Sequence, residues 1–186
     1  MKRSFDLILA LVACVILLIP FLVLSISIKL TSEGNIIFWS DRIGRYNKIF
    51  SMPKFRSMKI DTPAVATHLL PDPENSITKI GSFLRRTSLD ELPQLWCIMK
   101  GDMSFVGPRP ALFNQDDLIE LRTQHGIHNI IPGLTGWAQI NGRDEVSIED
   151  KVKLDIEYLR RKSFWFDLYI LWKTFKKVVI RDDVSH

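Results

Sequence analysis

An almost unbroken run of apolar residues occupies positions 7–28, close to the start of the chain. Its length is roughly that needed for a helix to cross a bilayer, about 20 residues. Pro20 lies inside the run, where it lacks a backbone donor and clashes with the preceding turn. The part before Pro20, residues 7–19, would rise only about 20 Å as a helix, short of a hydrocarbon core of about 30 Å. The pattern therefore predicts a helix that kinks or breaks near Pro20.

Basic residues flank the apolar run on both sides. Lys2 and Arg3 precede it, and it is followed by Lys29, Arg42, Arg45, Lys48, Lys54, Arg56 and Lys59. Because basic flanks favour the cytoplasm, both ends of the run are expected on that side. This favours a re-entrant helix hairpin at the cytoplasmic face of the cell (inner) membrane. A single-pass helix stays open as the alternative, and so does a cleaved signal peptide, although the run exceeds the usual apolar core of about 7–15 residues.

Beyond residue 30 the pattern changes to short amphipathic segments. Strand-like or extended stretches are expected at 36–39 and 49–58. Helices are expected at 77–86, 93–100, 116–125 and 149–179, the last broken near Ser163. Residues 131–143 contain Pro132, Gly133, Gly136 and Gly142, which predicts a loop. The fold class is thus mostly α with a small β element. Residues 1–30 are predicted as the re-entrant membrane helix and residues 31–186 as a compact, membrane-associated cytosolic domain.

The last predicted helix combines aromatic and basic side chains. They are Phe164, Trp165, Phe166, Tyr169, Trp172 and Phe175, with Lys173, Lys176 and Lys177 among or just after them. Such a helix suits the headgroup plane of a membrane, where rings enter the apolar boundary and cations meet anionic lipids. An aromatic core helix with a solvated basic end is the alternative interpretation. Beside an apolar N-terminal hairpin, the pattern favours an interfacial amphipathic helix.

Composition and net charge limit the kinds of partner that are expected for this domain. The 186 residues are 46% hydrophobic and 25% charged, as in a folded protein, and carry a net charge of +4. The basic excess favours anionic partners such as phosphates or acidic headgroups. No nucleic-acid-binding motif occurs, so no nucleic acid is expected as a partner. Cys14 and Cys97 form neither a disulfide pattern nor a zinc pattern, which favours a reducing compartment.

The residues with the clearest potential for chemistry are Asp90 and Glu91, which stand just before Pro93. A proline suits the first turn of a helix, and the positive end of a helix dipole attracts an anion. A carboxylate can attack phosphorus to form a covalent intermediate, and a neighbouring carboxylate can move protons. The alternative is purely structural, because Ser88 and Glu91 have the spacing of a helix-capping box.

Two further segments look suited to phosphate. Residues 100–110 combine Gly101 and Gly107 with the fork-shaped guanidinium of Arg109. Residues 132–143 combine glycines with Trp137, Gln139, Asn141 and Arg143. Each segment alone is also compatible with a rigid turn and a solvated arginine.

Taken together, these segments resemble the monotopic phosphoglycosyl transferases, bacterial sugar transferases that begin glycan assembly on polyprenol phosphate. The resemblance covers nearly the whole chain, in the short, catalytic-core form of the family. Its ordered motifs are residues 2–6, 42–44, 54–58, 90–91, 101–110, 132–143 and 154–158. Ile19 stands where the family usually has serine before the proline, and Cys97 where asparagine is common.

The resemblance implies a reaction and a set of site residues. Asp90 would attack the sugar-linked phosphate of a UDP-sugar, release UMP and hold the phosphosugar until polyprenol phosphate removes it. Glu91 would handle protons, and Mg²⁺ would bind at Asp90. The expected substrate-binding residues are Arg109, Lys54, Arg56 and Arg143. The expected partners are a UDP-sugar, polyprenol phosphate and membrane lipids, and a homodimer stays open.

Two other functions stay open at this point, a non-catalytic membrane scaffold and a protein that binds polyprenol phosphate without turnover. The intact Asp90–Glu91 pair favours the enzyme. The sugar carried by the donor cannot be read from the sequence. An N-acetylated amino sugar, glucose and galactose are all compatible with it.

Overall fold

The computed structural model describes residues 2–63, 72–142 and 147–179. The chain begins with two helices, α1 (Lys2–Ile16) and α2 (Leu18–Thr31), which meet at Leu17 with a bend of 61°. Pro20 lies in the first turn of α2, where it lacks an N–H for Ile16 and its ring displaces that carbonyl. The predicted kink is therefore confirmed, and it falls one turn before the proline that causes it.

Each helix of the pair is short, with 15 residues in α1 and 14 in α2. Within the described part of the chain, no single helix is both long and apolar enough to cross a membrane, whereas the bent pair together meets that test. Ala10 of α1 and Ile28 of α2 are fully buried against the rest of the protein. Most other apolar side chains of the pair are exposed, including Ile8, Val15 and Ile19. A continuous exposed apolar surface of this kind marks a contact region.

A β-hairpin follows the helix pair. Strands β1 (Ile37–Ile43) and β2 (Ile49–Phe55) are antiparallel, with a 3-10 turn at Arg45–Asn47 between them. Trp39 pairs with Pro53, and Phe38 pairs with Lys54. Because strand side chains alternate between faces, Lys54 leaves the sheet on the face opposite to Pro53.

The remaining elements are short helices and one small parallel strand pair. In chain order they are α3 (Pro73–Ser76), α4 (Lys79–Arg86), a 3-10 helix (Leu89–Gln94), α5 (Leu95–Lys100), β3 (Ser104–Val106), α6 (Asp116–Gln124), a 3-10 helix (Ile127–Asn129), β4 (Gly133–Thr135), α7 (Trp137–Asn141), α8 (Ile148–Arg161) and α9 (Phe164–Val179). The expectation of a mostly helical fold with a small β element is confirmed, as is the helix break near Ser163.

Several sequence-based boundaries were wrong. The strand expected at 36–39 extends to Ile43, because its residues pair in register with β2, and β2 ends at Phe55 and not at residue 58. Residues 131–143 are not only loop, because β4 pairs in parallel with β3 and α7 follows it. Helix α4 begins at Lys79, later than expected, because the hydroxyl of Thr78 accepts a hydrogen bond from the N–H of Gly81. Pro93 lies inside a 3-10 helix and does not open the α-helix. The expected end at Gly101 is confirmed, since this residue adopts a φ of +97°.

The β3–β4 pair brings two backbone segments unusually close together. A Cβ atom on Gly107 would lie 2.9 Å from the backbone nitrogen of Gly133, so a side chain there would clash. The N–H of Gly107 instead donates to the carbonyl of Thr135 at 2.9 Å. This pairing fixes the start of the loop that carries Arg109.

The start of α1 is tied to the same region. Lys2 donates hydrogen bonds to the carbonyl of Val106 at 2.8 Å and to a carboxylate oxygen of Asp167 at 2.6 Å. Asp6 accepts a hydrogen bond from the hydroxyl of Ser104 at 2.8 Å. Both ends of the helix pair therefore pack on the rest of the domain, α1 through Lys2 and α2 through Ile28.

Candidate active site

The carboxylates of the candidate site lie on the 3-10 helix Leu89–Gln94. Ser88, just before it, has a left-handed φ of +57° and makes no side-chain capping hydrogen bond. The N–H of Glu91 donates to the carbonyl oxygen of Ser88 at 3.2 Å. The capping-box interpretation was therefore wrong, and the side chain of Glu91 is engaged elsewhere.

Glu91 is the anionic partner of two cations. Its Oε1 accepts hydrogen bonds from Lys54 at 2.9 Å and from Arg109 at 2.7 Å. Burial alone would raise the pKa of Glu91, but the charges of Arg109 and Lys54 outweigh it and hold that pKa well below its usual range. Glu91 is therefore firmly ionised in this structure, and it holds the two cations beside Asp90.

Asp90 has the opposite electrostatic character. Its side chain is buried, and its Oδ2 lies 3.8 Å from the Nζ of Lys54. Burial raises the pKa of Asp90, the charge of Lys54 lowers it, and the charge of Glu91 raises it further, so that the net shift is upward. A carboxylate with a raised pKa is more basic and therefore a better nucleophile once ionised.

Lys54 reaches this pair from strand β2. Burial lowers the pKa of Lys54, and the positive charge of Arg109 adds to this effect. The two carboxylates oppose the shift. Asp90, Glu91 and Lys54 thus form a compact, largely desolvated charge cluster in which small movements change proton affinities.

Arg109 completes the cluster from the loop after β3, with its side chain 38% exposed. Its backbone carbonyl accepts a 2.8 Å hydrogen bond from Nη1 of Arg122. Arg122 in turn makes hydrogen bonds of 2.9 and 2.6 Å to Oδ2 of the buried Asp155. The Arg122–Asp155 pair therefore supports the backbone that presents the Arg109 guanidinium.

Sequence reasoning did not assign a site role to Arg85 or to Arg122. Arg85 lies in the last turn of α4, and its charge lowers the pKa of Asp90. Its position near Asp90 in the sequence was the available signal for it. For Arg122 no local signal existed, because Asp155 is 33 residues away.

Arg56, another predicted substrate-binding residue, is not brought into this cluster. Arg56 is buried and donates to the backbone carbonyl of Glu33, beside the turn at Gly34. Arg143 lies outside the described residues. Of the predicted substrate-binding residues that the structure describes, Lys54 and Arg109 contact Glu91.

Trp137 is already engaged within the domain. Its indole N–H donates to Glu157 at 2.7 Å, and its ring centroid lies 5.1 Å from that of Phe166. The guanidinium of Arg161 lies 5.0 Å from the same ring. Trp137 therefore joins α7 to α8 and α9.

The described residues near Asp90 provide few side-chain ligands for a metal ion. Among residues 2–63, 72–142 and 147–179 there is no group of three or more His, Cys, Asp or Glu side chains placed to hold a metal. Mg²⁺ often binds through one or two carboxylates and completes its shell with water and substrate phosphates. Asp90 fits that pattern, whereas Glu91 is occupied by two cations.

The arrangement as a whole suits phosphate chemistry. A basic carboxylate stands next to two cations that can pair with phosphate oxygens, in a site with little water to compete. It offers a nucleophile on the 3-10 helix, with charge stabilisation from Lys54 on β2 and from Arg109 on the loop after β3.

Comparison with known proteins gives the same class. A family model described as bacterial sugar transferase matches residues 1–181. An uncharacterised sugar transferase of Bacillus subtilis, EpsL, is 41% identical over 189 residues, which covers 100% of this chain and 90% of that protein. The UDP-glucose:undecaprenyl-phosphate glucose-1-phosphate transferase of Escherichia coli is 40% identical, across 94% of this chain and 39% of that protein.

The undecaprenyl-phosphate galactose phosphotransferase of Salmonella typhimurium is 36% identical, across 98% of this chain and 41% of that protein. This chain therefore spans nearly all of the Bacillus relative, but only about two fifths of the two enterobacterial ones. The protein is a transferase. It belongs to the bacterial sugar transferase family.

Proposed function

We propose that this protein moves a sugar 1-phosphate from a UDP-sugar to a polyprenol phosphate such as undecaprenyl phosphate, with release of UMP. The observation that carries the proposal is the buried, basic Asp90 beside Lys54 and Glu91. The names of the relatives from Escherichia coli and Salmonella typhimurium support the same class of reaction. The product would be the first lipid-linked sugar of a cell-surface polysaccharide or glycoprotein glycan.

In the first step, a carboxylate oxygen of Asp90 attacks the sugar-linked phosphorus of the donor. A new bond forms between that oxygen and phosphorus, the bond from phosphorus to the bridging oxygen breaks, and UMP leaves with the electron pair. Lys54 and Arg109, which contact Glu91, would pair with the donor phosphate oxygens, and this would draw both cations away from Glu91.

In the second step, a phosphate oxygen of the acceptor attacks the phosphosugar held on Asp90. The bond from phosphorus to Asp90 breaks, and the carboxylate is restored. Once Lys54 and Arg109 contact phosphate, Glu91 loses its two partners, so its pKa should rise towards the usual range. Glu91 could then accept a proton from the acceptor phosphate.

Mg²⁺ is the proposed cofactor, and Asp90 is the protein residue that would hold it. When bound, the ion would neutralise charge that develops on the phosphate oxygens. The available ligand supports this proposal, because the carboxylate of Asp90 lies near the place where substrate phosphates would bind.

The site is proposed to work at the cytoplasmic face of the cell membrane, with the helix pair as a re-entrant hairpin. The 61° bend and the exposed apolar surface of α1 and α2 support this placement. So do the contacts of Lys2 with Val106 and Asp167, because a straight crossing would carry Lys2 to the opposite side and break them. Exposed aromatic side chains of α9, such as Trp165 and Trp172, are suited to the headgroup region.

A panel of UDP-sugars incubated with purified protein and undecaprenyl phosphate tests the proposal, with UMP release as the readout. UDP-glucose, UDP-galactose and UDP-N-acetylated amino sugars should be included, and we expect at least one to release UMP together with a lipid-linked sugar. A carrier or scaffold without turnover would release none. If no member of the panel yields UMP, the proposed reaction is wrong.

A further inference from the structure

An apolar cavity of about 380 Å³ lies between the bend of α1 and α2, the β-hairpin and helix α5. Cys14 and Leu18 contribute to one wall, Trp39 and Pro53 to a second, and Pro93 and Trp96 to a third. None of its lining residues carries a charge. The volume falls in the range of about 300–1,000 Å³ that is typical of small-molecule sites.

The cavity adjoins the candidate active site through the 3-10 helix. Pro93, which lines the cavity, follows Asp90 by three residues in that helix. Side chains three residues apart in a 3-10 helix are eclipsed and are separated by about 6 Å along its axis. Asp90 and the cavity wall therefore lie on the same side of the helix, one turn apart.

A second connection runs through the β-hairpin. Pro53 lines the cavity, and the next residue, Lys54, provides the cation that lies 3.8 Å from Asp90. Lys54 leaves the strand on the face opposite to Pro53, so the apolar space and the cationic site lie on the two sides of one strand, separated by its backbone. A ligand that fits both has an anionic phosphate head and an apolar chain.

We infer that this cavity binds the first isoprene units of the polyprenol phosphate acceptor while its phosphate faces Lys54 and Asp90. The inference rests on the proposed function, because that function supplies the acceptor. A UDP-sugar is too polar for walls without a charged group, and burying its polar groups there would be costly. A cavity of this volume holds part of one chain, which matches a single-chain phosphate better than a two-chain phospholipid.

Equilibrium binding without a donor tests the inference, because no turnover can occur then. The full chain in detergent micelles is titrated with radiolabelled undecaprenyl phosphate. Cys14→Trp fills the cavity from α1, and Leu18→Trp fills it from α2. The matched controls are Val15→Trp and Ile19→Trp, whose parent side chains are 72% and 73% exposed and do not line the cavity.

We expect both cavity variants to raise the Kd for undecaprenyl phosphate about ten-fold, since an overfilled site disfavours the chain. Both controls should stay within about two-fold of the parent protein. Inorganic phosphate, which resembles the head group and has no apolar chain, should bind all five proteins with similar weak affinity. A parallel titration with phosphatidylglycerol should show no difference among them.

Unchanged binding of undecaprenyl phosphate to both cavity variants would overturn the inference, even if UMP release confirmed the reaction. Equal effects on phosphatidylglycerol would also overturn it, because the cavity would then be a general lipid site. Conversely, weakened binding in a protein that releases no UMP would keep the lipid site and reject the reaction. Circular dichroism of each variant checks folding, and the use of one variant on α1 and another on α2 guards against one misfolded variant.

Discussion

The ammonium of Lys54 donates a 2.9 Å hydrogen bond to Glu91 and lies 3.8 Å from the carboxylate of Asp90. The ammonium of Lys54 therefore interacts more closely with Glu91 than with the adjacent Asp90. Glu91 receives the direct contact and, with Arg109, becomes strongly acidic, whereas Asp90 keeps a raised pKa. In this structure a firmly ionised Glu91 therefore stands directly beside a more basic Asp90.

The asymmetry predicts opposite effects of neutral substitutions on stability. The pKa of Glu91 is lowered in the folded protein, so its ionised form stabilises the fold above the ordinary value of 4.5, and this contribution is lost as pH falls below that value. Glu91→Gln should therefore destabilise the protein at pH 7 by about 3 kcal/mol, because Lys54 loses its partner in a largely buried site.

For Asp90 the sign is reversed. Its raised pKa means that a stabilising contribution, present below the ordinary value of 3.8, is lost as pH rises through the folded pKa. Asp90→Asn should consequently be as stable as the parent protein at pH 7, or more stable. Thermal melts of both variants at pH 7 and pH 4 measure this, and a lower melting temperature of Asp90→Asn at pH 7 would contradict it.

Asp90→Asn should also remove the covalent intermediate. A neutral amide is a poor nucleophile, so UMP release should fall by about a thousand-fold or more. A donor radiolabelled in the sugar should label the parent protein in the absence of acceptor and leave the variant unlabelled. Asp117→Asn, an exposed position on α6, serves as the control and should label normally. Labelled Asp90→Asn protein would show that another residue is the nucleophile.

Removal of divalent metal should stop the reaction. The donor diphosphate and an anionic nucleophile repel each other unless their charge is neutralised, and the 3.8 Å contact between Asp90 and Lys54 is longer than a direct hydrogen bond. Excess EDTA should abolish UMP release, and added Mg²⁺ should restore it. Undiminished release in EDTA would mean that Lys54, Arg109 and Arg85 suffice.

The Arg122–Asp155 pair should influence donor binding from a distance. Asp155→Asn leaves Arg122 buried without its charge partner, which should cost about 3 kcal/mol of stability. Because Arg122 holds the carbonyl of Arg109, the KM for the UDP-sugar should rise as well. A purely structural role would lower the active fraction, and hence the apparent kcat, without changing KM. Glu149→Gln at the exposed start of α8 is the control.

The topology of the helix pair can be measured with one engineered thiol. After replacement of Cys14 and Cys97, Ser4→Cys places an exposed probe near Lys2. In intact cells an impermeant maleimide should not reach it, and membrane disruption should expose it. Labelling in intact cells, with the globular domain still protected, would indicate a straight crossing. Pro20→Leu should favour that outcome, because it restores the hydrogen bond that Pro20 cannot make.

Local geometry explains what could be predicted from the sequence. The kink follows from Pro20 alone, since the ring and the missing N–H act on residues within one turn. Gly101 ends α5 because its left-handed φ suits glycine. The pairing of Asp90 with Glu91 and the order of motifs were likewise visible along the chain, which sufficed to indicate the family.

Only the tertiary structure decided which residues meet. Glu91 accepts hydrogen bonds from Lys54 and Arg109, which are 37 and 18 residues away in the sequence. Its side chain therefore holds these two cations and does not cap a helix. Within a glycine-rich segment, Gly133–Thr135 form a strand because they pair with β3. The local sequence pattern does not indicate which distant segment provides that partner strand. Tertiary packing brought Arg56 into contact with the carbonyl of Glu33 and formed an apolar cavity next to the helix that carries Asp90. Long-range packing, burial and charge pairing act between residues distant in sequence, whereas turns and caps are decided within a few neighbours.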